Sequence, residues 1–224
     1  MAVKTSLKYL LYISKANLLS IPGVAAVLLL GALLTGPQIT GFNSTFQTYY
    51  GMFPMAAIIM VFMYGFNLST TYLDLSISLG GRRVDFFRAA QVLMLVYVLL
   101  CVLLQEVMVL LPPILGWSLA SGWGMLASVR QQLGWVYPLL CFCAQLLGSI
   151  VVFLYQKSRL WAVVVMVAVM LLGSAGVAFL MLAVAHGSTD SWGDLIPILV
   201  LVAVVITLVC EWFLWRWVKD YTVR

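Results

Sequence analysis

Few side chains in this 224-residue chain could do chemistry, and most of them sit in apolar surroundings. Glu106 is the carboxylate well inside an apolar run, about 9 Å from the middle of the helix expected there, at 1.5 Å per residue. A carboxylate at that depth is costly unless it faces a bundle interior, an aqueous cavity or a partner. It reads as a substrate contact or proton site, or as a carboxylate near the outer membrane interface that water reaches. Gln105 beside it and Pro112 just beyond suit the second reading. Gln145, near the middle of another apolar run, reads as a further substrate contact or as an interhelical hydrogen-bonding group.

Other chemistry is not expected. The four cysteines, Cys101, Cys141, Cys143 and Cys210, lie within or at the ends of apolar runs. Cys141 and Cys143 are two apart and face different directions on a helix, so they read as small apolar packing residues. There is one histidine, His186, and no His/Cys/carboxylate cluster with metal-ligand spacing. A GxSxG nucleophile elbow is absent, as is a Gly-rich phosphate loop with a following Lys. An enzyme is not expected, and neither is a metal or cofactor in this chain.

The elements that must position these residues follow from composition. The chain is 64% hydrophobic and 8% charged, whereas soluble domains carry about 25% charged residues. Its length suits about six helices of roughly 20 residues. The spans are expected at 17–35, 49–68, 89–111, 135–155, 160–185 and 195–215, with Pro112 and Pro113 stopping the third. Six crossings place 11 of the 12 Lys and Arg residues on one side, leaving Arg130 on the other. A seventh crossing through 114–134 would divide the same 12 into 7 and 5. The positive-inside rule therefore selects six spans with both termini in the cytoplasm. The glycine-broken stretch 114–134, with Trp117, Trp123 and Trp135, then reads as one or two short helices at or dipping into the outer interface.

Residues 2–16 read as an amphipathic elbow helix on the membrane surface. Lys4, Lys8 and Lys15 fall in one narrow stripe at about 100° per residue, opposite Ala2, Val3, Tyr9, Leu10 and Ile13. The small-residue pairs Ala32/Gly36 and Ser174/Ala178 allow close helix packing. Neither a repeat nor a low-complexity linker is visible, so 1–224 reads as one all-α membrane domain. The net charge of +5 is scattered between apolar runs. It forms no basic face for nucleic acid.

The longest inner loop holds Leu73, Asp74, Leu79, Gly80, Gly81, Arg82, Arg83, Phe86 and Phe87. Leu73–Leu79 is expected to form two helical turns broken by Gly80 and Gly81, with the Phe pair at the membrane entrance. On the residues alone this is equally a docking knuckle for a soluble partner or an ordinary loop that sets topology.

The stretch Leu75–Phe87 resembles the coupling-helix loop of bacterial ABC-type export permeases of the small six-helix kind. In many of these a Ser/Leu-rich turn precedes Gly-x-x-Arg-x-x-Phe-Phe, matched by Gly80, Arg83, Phe86 and Phe87. The elbow helix, six spans and inner termini are similar too. One departure is that the longer outer segment follows the third span, where in many relatives a helical segment lies between the last two. The resemblance implies a permease of the bacterial cytoplasmic membrane that pairs with itself or a related permease. It implies a cytosolic ABC ATPase dimer docking on the loop and holding ATP and Mg, and a substrate path including Glu106, Gln105 and Gln145. An amphipathic peptide, a peptide antibiotic or a lipid-like molecule is the expected cargo. The alternatives are a substrate-binding membrane subunit of a vitamin-uptake system, and a non-transport membrane sensor or immunity protein.

Overall fold

A computed structural model describes residues 3–35, 49–78, 82–114, 116, 122–168 and 192–220. Among these the regular structure is entirely helical: α1 (Val3–Ile13), α2 (Lys15–Thr35), α3 (Phe53–Asn67), α4 (Leu73–Ser78), α5 (Arg83–Ile114), α6 (Gly122–Leu133), α7 (Tyr137–Lys157), α8 (Arg159–Ala168) and α9 (Trp192–Asp220). Four of them, α2, α5, α7 and α9, are long and apolar enough to cross a membrane. The chain is thus an all-α protein with the helices of a multi-pass membrane protein. The described part of the fifth expected span is α8. Gly36, Leu79, Gly80, Gly81, Trp117, Ser174, Ala178 and His186 lie outside the described residues.

Helix α3 is short because a π-helical turn, Leu68–Tyr72, follows it and leads directly into α4. The helical course from Phe53 to Ser78 is therefore unbroken. The expected separate two-turn knuckle is instead an extension of the second expected span. A π turn admits one extra residue. Relative to an uninterrupted α-helix this rotates everything beyond it by about 100°.

Helix α5 corrects a second expectation. Pro112 and Pro113 do not stop it; it runs 32 residues to Ile114. Proline at 112 removes the N–H that the Met108 carbonyl would receive. The Tyr50 hydroxyl donates to that carbonyl instead, so this buried acceptor is not left open. Two residues past the end of the helix, Gly116 has a φ of +68°, the left-handed conformation that glycine adopts without strain. Asp85 in the first turn favours the opposite end, where an anion meets the positive helix pole.

Side-chain contacts sort the helices by direction. Asn17 of α2 bonds Tyr72 beyond α3, Arg83 of α5 reaches the end of α9, and Phe153 of α7 touches Trp217 of α9. These define a basic end of the bundle, where Lys15, Arg82, Arg88, Arg159, Arg216 and Lys219 also lie near helix ends. Tyr50–Met108 and Glu106–Arg130 mark the far end. Thus α2 and α5 run away from the basic end, and α3, α7 and α9 run toward it.

Helix α7 is central: 61% of its apolar stretch is buried, against 17% for those of α2 and α9. Its closest neighbour is α3. A Cβ on Gly65 would strike the Gln145 carbonyl, and one on Gly148 would strike the Phe62 carbonyl. Glycine at both positions lets the two backbones touch, which in lipid replaces hydrophobic drive with van der Waals contact. Ser149 adds a hydrogen bond from Oγ to the Gly65 carbonyl, 3.0 Å.

Helix α1 lies against α5. Ser6, Leu10 and Ser14 recur every four residues and are all buried, so two small side chains let the helices approach closely. Lys4, Lys8 and Lys15 are exposed, as the stripe predicts, with Leu11 and Tyr12 also outward. The two helices meet at Ser14, where α1 gives way to α2.

Candidate functional site: a polar seam at the basic end

The junction at Ser14 is held by tyrosines from two other elements. Tyr97 of α5 donates its hydroxyl to the Ser14 carbonyl at 3.4 Å. Asn17 Nδ2, just past the junction, donates to the Tyr72 hydroxyl at 3.0 Å. Tyr64 stacks on Tyr97 with ring centroids 3.7 Å apart and 24° between planes. Tyr72 lies 6.4 Å from Tyr64 by centroid. The π turn makes this cluster. Residues eight apart on an α-helix differ by about 80°, and the turn's extra residue brings Tyr72 back to the Tyr64 face. All three rings are buried.

The predicted loop residues adjoin this cluster. Leu73 is fully buried and Asp74 half-buried, while Leu75 is exposed. The Arg82 carbonyl accepts the Phe86 amide at 3.0 Å and so opens α5; its side chain is exposed. Arg83 Nη1 donates to the Lys219 carbonyl of α9 at 3.0 Å. A guanidinium there meets the negative pole of a helix C-terminus. The expected Phe pair divides its work. Phe86 is buried in the core, and Phe87 meets Trp215 edge-on at 5.2 Å. One turn deeper, Gln91 Nε2 donates to Glu211 Oε2 at 3.0 Å.

Chemically, the seam is a set of hydrogen bonds and ring contacts between helices. It carries no cluster of three His, Cys, Asp or Glu side chains among the described residues. Instead it links the elbow, the end of α3, the start of α5 and the end of α9 through single hydrogen bonds and ring contacts.

The residues expected along a substrate path are separated. Glu106 turns outward at the far end and forms a bidentate pair with Arg130 of α6, at 2.8 Å to Nε and 2.7 Å to Nη2. Both side chains are partly exposed. The bond and the carboxylate charge raise the Arg130 pKa further above its ordinary value. The carboxylate and the cation on the far side of the bundle thus answer one another, and α6 is tied to α5. Gln105 turns inward and is buried. Gln145 is completely buried, and neither amide atom has a partner. The interhelical hydrogen bond expected of it is therefore not formed.

The tyrosine cluster and the Gln91–Glu211 pair were not visible as sites in the sequence. Tyr64 and Tyr97 within apolar runs, and Glu211 in the sixth expected span, were the available signals. Their partners lie 33 to 120 residues away, beyond any local pattern. The small-residue pairs chosen from spacing also missed the glycines that make the closest crossing, Gly65 and Gly148. All four cysteines are buried and unbridged, in keeping with a role in packing. No family model, curated protein or solved structure matches this chain.

Proposed function

We propose that this chain is the transmembrane subunit of an ATP-driven exporter in a bacterial cytoplasmic membrane. It crosses six times with both termini inside, pairs with a second permease, and is driven by a cytosolic ABC ATPase dimer that binds the ATP and Mg. The cargo is an amphipathic peptide, a peptide antibiotic or a lipid-like molecule.

The observation that carries this reading is the seam. A push on Leu75 or Arg82, both exposed, meets a stiff junction. Tyr72–Asn17 and Tyr97–Ser14 pass it to the elbow and first span, and Arg83–Lys219 passes it to α9. Rigid elements joined this way move together, as an imposed domain motion requires. The resemblance of Leu75–Phe87 to a coupling loop supplies the ATPase as the source of that motion. Six crossings are supported by chain direction. Helices α7 and α9 both run toward the basic end, which agrees with a fifth crossing between them. The course Phe53–Tyr72 spans about 30 Å at 1.5 Å per residue, enough for the second crossing. Gln105 and Gln145 are the buried polar groups that a substrate path would expose when the helices part.

The test is purification of the tagged chain from its own cells in mild detergent, with identification of what accompanies it. An ATPase should co-purify and be lost on Arg82→Glu, which opposes a docked partner with altered charge, and on Leu75→Glu. The chain alone should not hydrolyse ATP. If no ATPase accompanies it and both variants transport normally, the exporter reading is wrong.

A further inference from the structure

We propose that the seam between the start of α5 and the end of α9 binds the phosphate headgroup of an anionic glycerophospholipid. This goes beyond the exporter reading and does not rest on it, since only a membrane location is needed. Leu201, Val205, Leu208, Trp212 and Arg216 follow one another at spacings of three or four, so they share one face of α9. The first four are 67%, 52%, 65% and 55% exposed, which turns that face toward lipid. The stripe passes from alkyl side chains to an indole to a guanidinium. A phospholipid passes in the same order from acyl chain through the interface to phosphate.

The basic foot of the stripe is built from two helices. The Arg216 guanidinium lies over the Trp212 ring, 5.6 Å from its centroid, a cation–π distance that holds the charge beside the indole. Lys219 is exposed on the same face. Arg83 bonds the Lys219 carbonyl, so the start of α5 abuts this foot, with Phe87 against Trp215 beneath it. Arg82 and Arg88, from the same start of α5, are exposed. The five cations Arg82, Arg83, Arg88, Arg216 and Lys219 outnumber the carboxylates near them in sequence, Asp85, Glu211 and Asp220. A group with this excess of positive charge, placed where acyl chains end, suits a phosphate that guanidinium forks can grip. An acidic soluble protein fits less well, because it would have to enter between the acyl chains that cover Leu208 and Trp212.

Native mass spectrometry of the full chain, loaded with phosphatidylglycerol or phosphatidylcholine, tests this. Phosphatidylglycerol should be retained in preference. Each cation near an anionic surface contributes about fivefold, so Arg216→Gln with Lys219→Gln should weaken retention about 25-fold. Lys4→Gln with Lys8→Gln removes two exposed cations from α1 and should leave retention unchanged. A second measurement needs no charge variant. Brominated phosphatidylglycerol should quench Trp212, read as the difference between the wild-type chain and Trp212→Phe, more than brominated phosphatidylcholine does. Equal retention or equal quenching by the two lipids overturns the proposal. So does equal loss in both double variants, or capture of a soluble acidic protein in place of lipid. Loss of the ATPase with lipid retained would strike only the exporter reading.

Discussion

Arg83 and Lys219 are 136 residues apart in sequence, yet the guanidinium of one caps the last turn of the helix that carries the other, at 3.0 Å. The start of the longest helix and the end of the last one are thereby held at a single point. A cation at a helix C-terminus contributes about 0.3–1 kcal/mol. Arg83→Ala should therefore fray α9 from its end, seen as faster hydrogen exchange over 216–220. Arg82→Ala, one residue away but without that bond, should leave the exchange of this segment as it is.

The Tyr50 hydroxyl occupies the carbonyl that Pro112 leaves open on Met108. Tyr50→Phe should destabilise the protein by about 1–3 kcal/mol, because a buried acceptor loses its donor. Pro112→Ala restores a backbone N–H to the same carbonyl. In a double-mutant cycle followed by thermal unfolding in detergent, Pro112→Ala should recover part of the Tyr50→Phe loss. Simple addition of the two effects would show that the carbonyl is satisfied in another way.

Glycine matters where the backbones of α3 and α7 touch. Gly65→Ala and Gly148→Ala each drive a methyl into a facing carbonyl, and overpacking of this kind costs about 1–3 kcal/mol or more. Both should lower Tm and the yield of monodisperse protein. Gly23→Ala in α2 meets nothing within 4 Å. It should be neutral or stabilising by up to about 1 kcal/mol through helix propensity. Equal behaviour of the three variants would remove the case for a tight α3–α7 crossing.

The pair at the far end should be a tether for α6. Glu106→Gln is expected to speed hydrogen exchange in Gly122–Leu133 while leaving expression and transport intact. The exchanged pair Glu106→Arg with Arg130→Glu should restore protection, and added salt should weaken it in the wild-type chain, since both side chains are partly exposed. Loss of transport in Glu106→Gln with α6 still protected would return Glu106 to the substrate path.

The sequence by itself determined the class of this protein and the places of most helices. Long apolar runs with so few charges can satisfy their backbone in lipid only as helices, and the lysine stripe of residues 4–15 marked the exposed side of α1. The glycine-broken run at 114–134 was legible as short helical structure, and α6 lies within it. Only the tertiary structure decided what those helices touch. A helix that is apolar all round, such as α2, α5 or α9, carries little periodic contrast to say which face meets protein and which meets lipid. Contact is settled instead by single events: two glycines at a crossing, a π turn that rotates Tyr72 onto Tyr64, a carbonyl left open by Pro112. The same limit applied to the polar residues. Glu106 read either as a substrate contact or as a carboxylate near the outer interface, because its partner, Arg130, lies 24 residues on in a separate helix, and only folding brings the two charges together.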